Sequence, residues 1–246
     1  MKRFGQTGWW IAVVACAIAS CNTTFVATEK DYVQYGVNKD STADATAEKI
    51  IAPYRDSLTN KMNVVIGTSE KEMIKAQPES ELGNFCADAF LTYARTLPFH
   101  QELDACIVNY GGIRLPSLPK GDITVGKIFE LLPFDNLIVV NIVSGDSLQK
   151  ACDAIAKAGG WPVSGIRFKI VDGKAVDVSV NGSALVGNMQ YRIVLSDYVA
   201  NGGDNMFMVK SSGSHNTGVL MRDAMMHFIR SQKQPIAATL DNRIQK

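Results

Sequence analysis

The stretch that decides the fold runs from Asp104 to Asn136 and reads DACIVNYGGIRLPSLPKGDITVGKIFELLPFDN. A short apolar run over 105–108 stops at Asn109, and Tyr110-Gly111-Gly112 forces a tight turn before Ile113-Arg114. β-Branched residues entering a glycine pair mark a strand end whose backbone can come close to a ligand. A cation follows at Arg114, and an aromatic, Phe134, follows a short helix that Thr124 caps and Pro133 ends. The amide of Asn109 can read polar edges, the guanidinium an anion, and the ring a flat apolar face. That combination suits a nucleotide.

A second half of the site is expected near residue 200, where LSDYVANGGD (195–204) again ends a strand (191–195) in a glycine pair. It offers one aromatic, Tyr198, and one carboxylate, Asp204, which can accept hydrogen bonds from vicinal sugar hydroxyls. Taken alone, each of these residues also has a plain reading. Phe134 and Tyr198 could be ordinary core or loop aromatics, Asn109 and Asp204 turn residues beside glycine, and Arg114 a surface charge.

Around these two turns, helix spacing predicts a helix using Ile50, Ile51, Tyr54 and Leu58, capped from Asp40, Ser41 or Thr42 and kinked or split by Pro53. A short strand is expected over 63–66, and a helix over 82–97 from the 3–4 spacing of Leu82, Cys86, Phe90, Tyr93 and Leu97. Residues 137–143 form a strongly apolar strand, and 146–158 a helix turning Leu148, Cys152 and Ile155 inward. A hairpin joins 167–171 to 175–180 across Asp172-Gly173-Lys174. Thr217 is expected to cap a last helix with Leu220, Ala224 and Phe228 on one face, and 241–244 closes the domain. Strands and helices mix without strict alternation, which predicts an α+β domain, a mixed β-sheet with packed helices.

Composition sets the outer bounds. The 246 residues are 46% hydrophobic with a formal net charge of +1, enough for one core plus a tail. Beyond Lys2 and Arg3 the charge is nearly balanced, which gives no electrostatic footprint for nucleic acid. Those two cations precede an apolar run over 9–19 that is too short to span a bilayer and ends Ile18-Ala19-Ser20-Cys21. The ending resembles a bacterial lipobox. It predicts a signal peptide over 1–20, lipidation at Cys21, a polar tether over 21–40 and the domain over 41–246, the alternative being an ordinary cleaved signal. Anchoring would then be through acyl chains, at the bacterial cell envelope.

Other chemistries find little support. Cys86, Cys106 and Cys152 show no CxxC spacing and are expected to be buried and without function. His100, His215 and His227 form no HExxH or HxH pattern, so no metal centre is expected from this chain, and His227 reads as a packing or surface residue. Met221, Met225 and Met226 read as core filling. Gly121-Asp-Ile-Thr-Val-Gly126-Lys127 imitates a phosphate loop, but Ile128 stands where Ser or Thr would meet magnesium; it reads as a turn followed by a capped helix.

The segments LGNFCADAFL, NYGGIR, GDITVGKIFELLPFDN, VSGIRF and DYVANGGD together resemble the C-terminal domain of the 5'-nucleotidase family, in order, over roughly 50–244. The resemblance implies a nucleoside pocket in which Phe134 and Tyr198 sandwich a base and Asn109 hydrogen-bonds it, with Gly111 and Gly112 leaving room. It implies Arg114 on the phosphate or ribose side and Asp204 accepting from ribose hydroxyls. Some members carry a further arginine just ahead of the LGN segment, where this chain has Gln77-Pro78-Glu79-Ser80-Glu81. Full-length members also carry a metallophosphoesterase domain that activates water on two metals. The stretch before the LGN segment contains no histidine, so the chain is expected to bind without cleaving and to hold no cofactor. Three readings stay open: the recognition half of a split 5'-nucleotidase with a metallophosphoesterase subunit carrying the divalent metals, a stand-alone nucleoside- or nucleotide-binding lipoprotein, or a scaffold that has lost its ligand.

Overall fold

The computed structural model describes residues 32–36, 44–97, 102–211 and 213–246. It separates Met1–Glu48 from one compact unit, Lys49–Lys246, whose fold is described below. The expected signal, Cys21 and the proposed caps over 40–42 lie outside the described residues, as does His100.

In chain order the elements are α1 (Ala45–Met62), β1 (Val65–Ser69), β2 (Met73–Ile74), α2 (Glu81–Arg95), β3 (Ala105–Ile107), β4 (Ser117–Leu118), β5 (Gly121–Thr124) and α3 (Val125–Leu131). Then follow β6 (Leu137–Ser144), α4 (Gly145–Lys157), β7 (Val163–Ser164), β8 (Ile166–Val171), β9 (Lys174–Val180), β10 (Ser183–Ala184), β11 (Gln190–Ser196), α5 (Asp197–Ala200), β12 (His215–Leu220), α6 (Met221–Ser231) and β13 (Ile244–Gln245).

The central sheet has the order β12-β6-β11-β3-β7. Its β11–β3 pair is parallel and the others antiparallel, so the sheet is mixed, in agreement with the α+β expectation. Helices cover both faces. Alternate residues of β6 enter different cores: Ile138 and Val140 join Leu82, Cys86 and Phe90 of α2 and Met225 and Ile229 of α6. Val139 and Val143 join Leu148, Cys152 and Ile155 of α4. A strand covered on both sides reads as a continuous apolar run rather than an alternation, which is why 137–143 is so uniformly hydrophobic. Burial of the three thiols raises their pKa, that of Cys152 to about 12, as the charged form loses water.

A second sheet, β10-β9-β8-β13, carries the hairpin. Its turn is tighter than expected: Asp172 and Gly173 both have positive φ (49° and 73°) and Lys174 already pairs with Val171. Two successive left-handed residues match the right-handed twist of the flanking strands. The C-terminal segment is held by a polar network around Glu79, which accepts from Asn84 Nδ2 (2.7 Å), Asp241 N (2.9 Å) and Arg243 N (3.0 Å). Arg243 in turn donates to Asp88 (2.7 and 2.8 Å) and Asp241 (2.7 Å).

Three expectations are corrected. Among the described residues the apolar stripe of α1 is left on the surface: Ile50, Ile51, Tyr54 and Leu58 are all exposed, and the helix runs unbroken through Pro53. Periodicity shows that a helix has an apolar side, not that a partner covers it. The strand expected over 63–66 begins at Val65 and extends to Ser69. Thr217 does not cap the last helix. It lies in β12, where its hydroxyl donates to Ile138 O at 2.8 Å, and α6 starts from Leu220 without a side-chain cap.

Candidate functional site

β3 ends at Ile107, and Asn109, still extended (φ −67°, ψ 136°), precedes a single 3₁₀ turn over Tyr110–Gly112. Asn109 folds its side chain back over that turn. A Cβ on Gly112 would stand 2.7 Å from Asn109 Oδ1 and would push that amide out of place, whereas one on Gly111 would come no nearer than 4.0 Å. Lys75 pins the turn: its ammonium donates to Ile113 O (2.7 Å) and stands 3.9 Å over the Tyr110 ring. Burial, then the nearby Arg114, pulls the Lys75 pKa down. Arg114 is exposed, donates weakly to Gly111 O (3.4 Å) and places its guanidinium 5.9 Å from the Phe134 ring.

The second half grows from β11. Ser196 caps α5 by accepting from Val199 N at 3.2 Å. Tyr198 lies on that turn of helix, and its ring passes over Gly203, where a Cβ would collide with Cε1 and Cζ at 2.5 Å. Asp204 follows in the left-handed region (φ 52°), a conformation that aspartate tolerates better than most side chains. Its carboxylate accepts from Asn109 Nδ2 (3.1 Å) on one oxygen and Tyr198 Oη (2.9 Å) on the other. The two glycine turns, 95 residues apart, are therefore joined by one hydrogen-bonded trio.

Phe134 sits on the link between α3 and β6, and that link is held from behind. Arg222, buried at the start of α6, donates to Asp135 (2.7 Å) and Leu132 O (3.3 Å), and its guanidinium lies 4.1 Å from the Phe129 ring. Asn136 O accepts from Met221 N at 2.9 Å. Asp197 then ties the two aromatic loops together, one carboxylate oxygen accepting from both Leu137 N (3.1 Å) and Tyr198 N (2.9 Å).

The result is a cleft of about 410 Å³ lined by Asn109, Gly111, Phe134, Asn136, Tyr198 and Asp204. Five of the seven expected substrate residues line it. Gly112 lines a small void beside it, and Arg114 stands next to it over Phe134. Asn109 is 7% exposed and spends one N–H on Asp204, so it orients that carboxylate as well as facing the cleft. Phe134 and Tyr198 are 48% and 46% exposed, unusual for rings surrounded by well-packed structure and suited to stacking on a flat ligand. Sequence reasoning missed Asn136, Asp197 and Arg222. Asn136 stood two residues past Phe134 in the opening stretch, while Arg222 carried no local signal. Among the described residues no group of three or more His, Cys, Asp or Glu could hold a metal ion.

The profile of the 5'-nucleotidase C-terminal domain matches residues 65–211. A 5'-nucleotidase of Vibrio parahaemolyticus is 24% identical over 79% of this chain, which spans 35% of that protein. An apyrase of Anopheles gambiae is 26% identical over 83% of the chain and 38% of its own length. Among solved structures, the 5'-nucleotidase precursor of Thermus thermophilus superposes with a TM-score of 0.71 at 28% identity, over 81% of this chain and 43% of that one. The chain thus spans between 13% and 38% of the curated relatives it matches.

Proposed function

Because the chain belongs to the family of the 5'-nucleotidase C-terminal domain, we propose that it recognises a nucleoside or nucleotide as one half of a split 5'-nucleotidase. The observation that carries this reading is the cleft in which two half-exposed rings, Phe134 and Tyr198, meet a buried amide and a carboxylate from separate glycine turns. The base stacks on the rings, which gives affinity with little discrimination between bases. Asp204 accepts from the ribose hydroxyls, and Arg114 faces the phosphate. Hydrolysis falls to a metallophosphoesterase subunit that holds the divalent metals and activates water. A lipid on Cys21 keeps the protein at the cell envelope. A stand-alone binding lipoprotein shares the same cleft and differs only in needing no partner.

Calorimetric titration of residues 22–246 with adenosine and AMP, without added metal, tests the recognition step. Saturable binding is expected; absence of binding to both ligands would defeat the proposal. Mixing with a two-metal phosphoesterase should then produce AMP hydrolysis that neither protein shows alone. No gain on mixing, with binding intact, would leave the stand-alone reading.

A further inference from the structure

α1 buries none of its 18 residues, yet its apolar stripe is continuous: Ile50, Ile51, Tyr54 and Leu58 recur at helical spacing and are 48% to 71% exposed. Charges are sorted around that stripe. Arg55, one turn beyond Ile51, and Lys61, one turn beyond Leu58, border it and are exposed, while Lys49 and Asp56 stand on the opposite side of the helix. Glu48 lies in the first turn, where the helix dipole favours an acid.

This pattern fits a lipid surface. Bordering cations can lay their stems along apolar surface and carry their heads to anionic headgroups, and a tyrosine among aliphatic residues suits the boundary between acyl chains and water. Among the described residues no helix is long and apolar enough to cross a membrane, so α1 can lie on a bilayer but not span it. Its place in the chain agrees. A chain running from Cys21 to Ala45 extends at most about 80 Å, which keeps α1 within reach of a membrane that holds Cys21. At its other end α1 is seated on the domain: a Cβ on Gly126 would come 3.2 Å from Met62 O, and Val64 O accepts from Val125 N at 2.9 Å.

We propose that α1 lies in the headgroup region of an anionic bilayer, with Ile50, Ile51, Tyr54 and Leu58 turned into the acyl chains and Arg55 and Lys61 toward the lipid phosphates. The helix is a second point of attachment beside the acyl chains on Cys21. Because its C-terminal end is seated on the domain, it also sets which side of the domain faces the membrane. This rests on the envelope reading of the N-terminus.

Two measurements keep the helix and the anchor apart. Labelling the full chain in bacteria with radioactive palmitate reads the anchor: label on the wild type and none on Cys21→Ser is expected, and an unlabelled wild type overturns the two-point attachment through its first point. Flotation reads the helix, using the unacylated residues 22–246, which keep the whole compact unit, with vesicles of phosphatidylethanolamine and phosphatidylglycerol. The protein should float with the vesicles, and Ile51→Glu combined with Leu58→Glu should lower its partitioning at least about tenfold. The melting temperature should not change, since both side chains are exposed. Tyr54→Trp should shift its emission to the blue when vesicles are added. No flotation, or equal flotation of the wild type and the double variant, overturns the docked helix whatever the palmitate label shows. Dimerisation in the ultracentrifuge that the double variant abolishes, without flotation, gives the stripe to a second copy and overturns it as well.

Discussion

Phe134 and Tyr198 face the same cleft with nearly equal exposure, yet they are held in opposite ways. Tyr198 fixes itself: its hydroxyl donates to Asp204, accepts from the Asp204 amide at 3.2 Å, and its ring rests on Gly203. Phe134 has no polar atom in its side chain and depends on a link clamped by Arg222 and by Met221 N. One ring is tied into the hydrogen-bonded trio; the other is presented by the link that carries it. The lesson is that two aromatics facing one cleft can fail for different reasons.

The largest effect should come from removing the self-holding ring. Tyr198→Ala loses stacking and also one of the two donors on Asp204, so nucleoside affinity should fall by about 1.5–4.5 kcal/mol, the sum of both contributions. Phe134→Ala loses stacking only, roughly 1–3 kcal/mol, with little change in melting temperature because the ring is half exposed. Titrating adenosine into both variants checks the order. Equal losses would mean that the Tyr198 hydroxyl contributes nothing to the site, and unchanged affinity in a folded Phe134→Ala variant would remove Phe134 from it.

This asymmetry also marks what could be read from the chain before its structure. The two glycine turns, the rings and the mixed sheet were legible because each rests on local chemistry: a strand ending in a glycine pair, an aromatic beside it, an apolar run covered on both faces. The Asp204 trio was only partly legible, since Asn109 and Asp204 were singled out separately and their contact spans 95 residues. Arg222 was not legible at all. Its meaning comes from the packing of α6 beneath the 132–136 link, and an arginine in an amphipathic helix looks like any solvated charge. The exposed stripe of α1 shows the same gap from the other side, as helical spacing cannot say what the stripe meets.

Arg222 therefore offers the next test of how Phe134 is held. Its side chain is 9% exposed while its partner Asp135 is 79% exposed, so removing the arginine leaves no stranded buried carboxylate. It does remove charged hydrogen bonds and contact with Phe129. Arg222→Ala should lower unfolding free energy by about 1.5–3 kcal/mol in urea. Affinity for adenosine should drop only through the loosened link, so Arg222→Ala combined with Phe134→Ala should cost hardly more affinity than Phe134→Ala alone. Additive affinity losses in that double-mutant cycle would mean that Arg222 acts on the ligand by some other path.

The smallest change is the most discriminating for Tyr198. Tyr198→Phe keeps the ring and its stacking face but takes the donor from Asp204 Oδ1, leaving Asn109 on Oδ2 as the remaining side-chain hold on that carboxylate. One hydrogen bond of this kind is worth about 0.5–1.5 kcal/mol. If Asp204 is the sugar acceptor, that loss should fall on adenosine and not on free adenine, because only the ribose hydroxyls require the carboxylate to be well placed. Titrating both ligands into the wild type and the variant measures the difference directly. An equal decrease for adenine and adenosine would show that the hydroxyl serves to seat the ring rather than to aim the carboxylate, and the distinction drawn between the two aromatics would then reduce to one of anchoring alone.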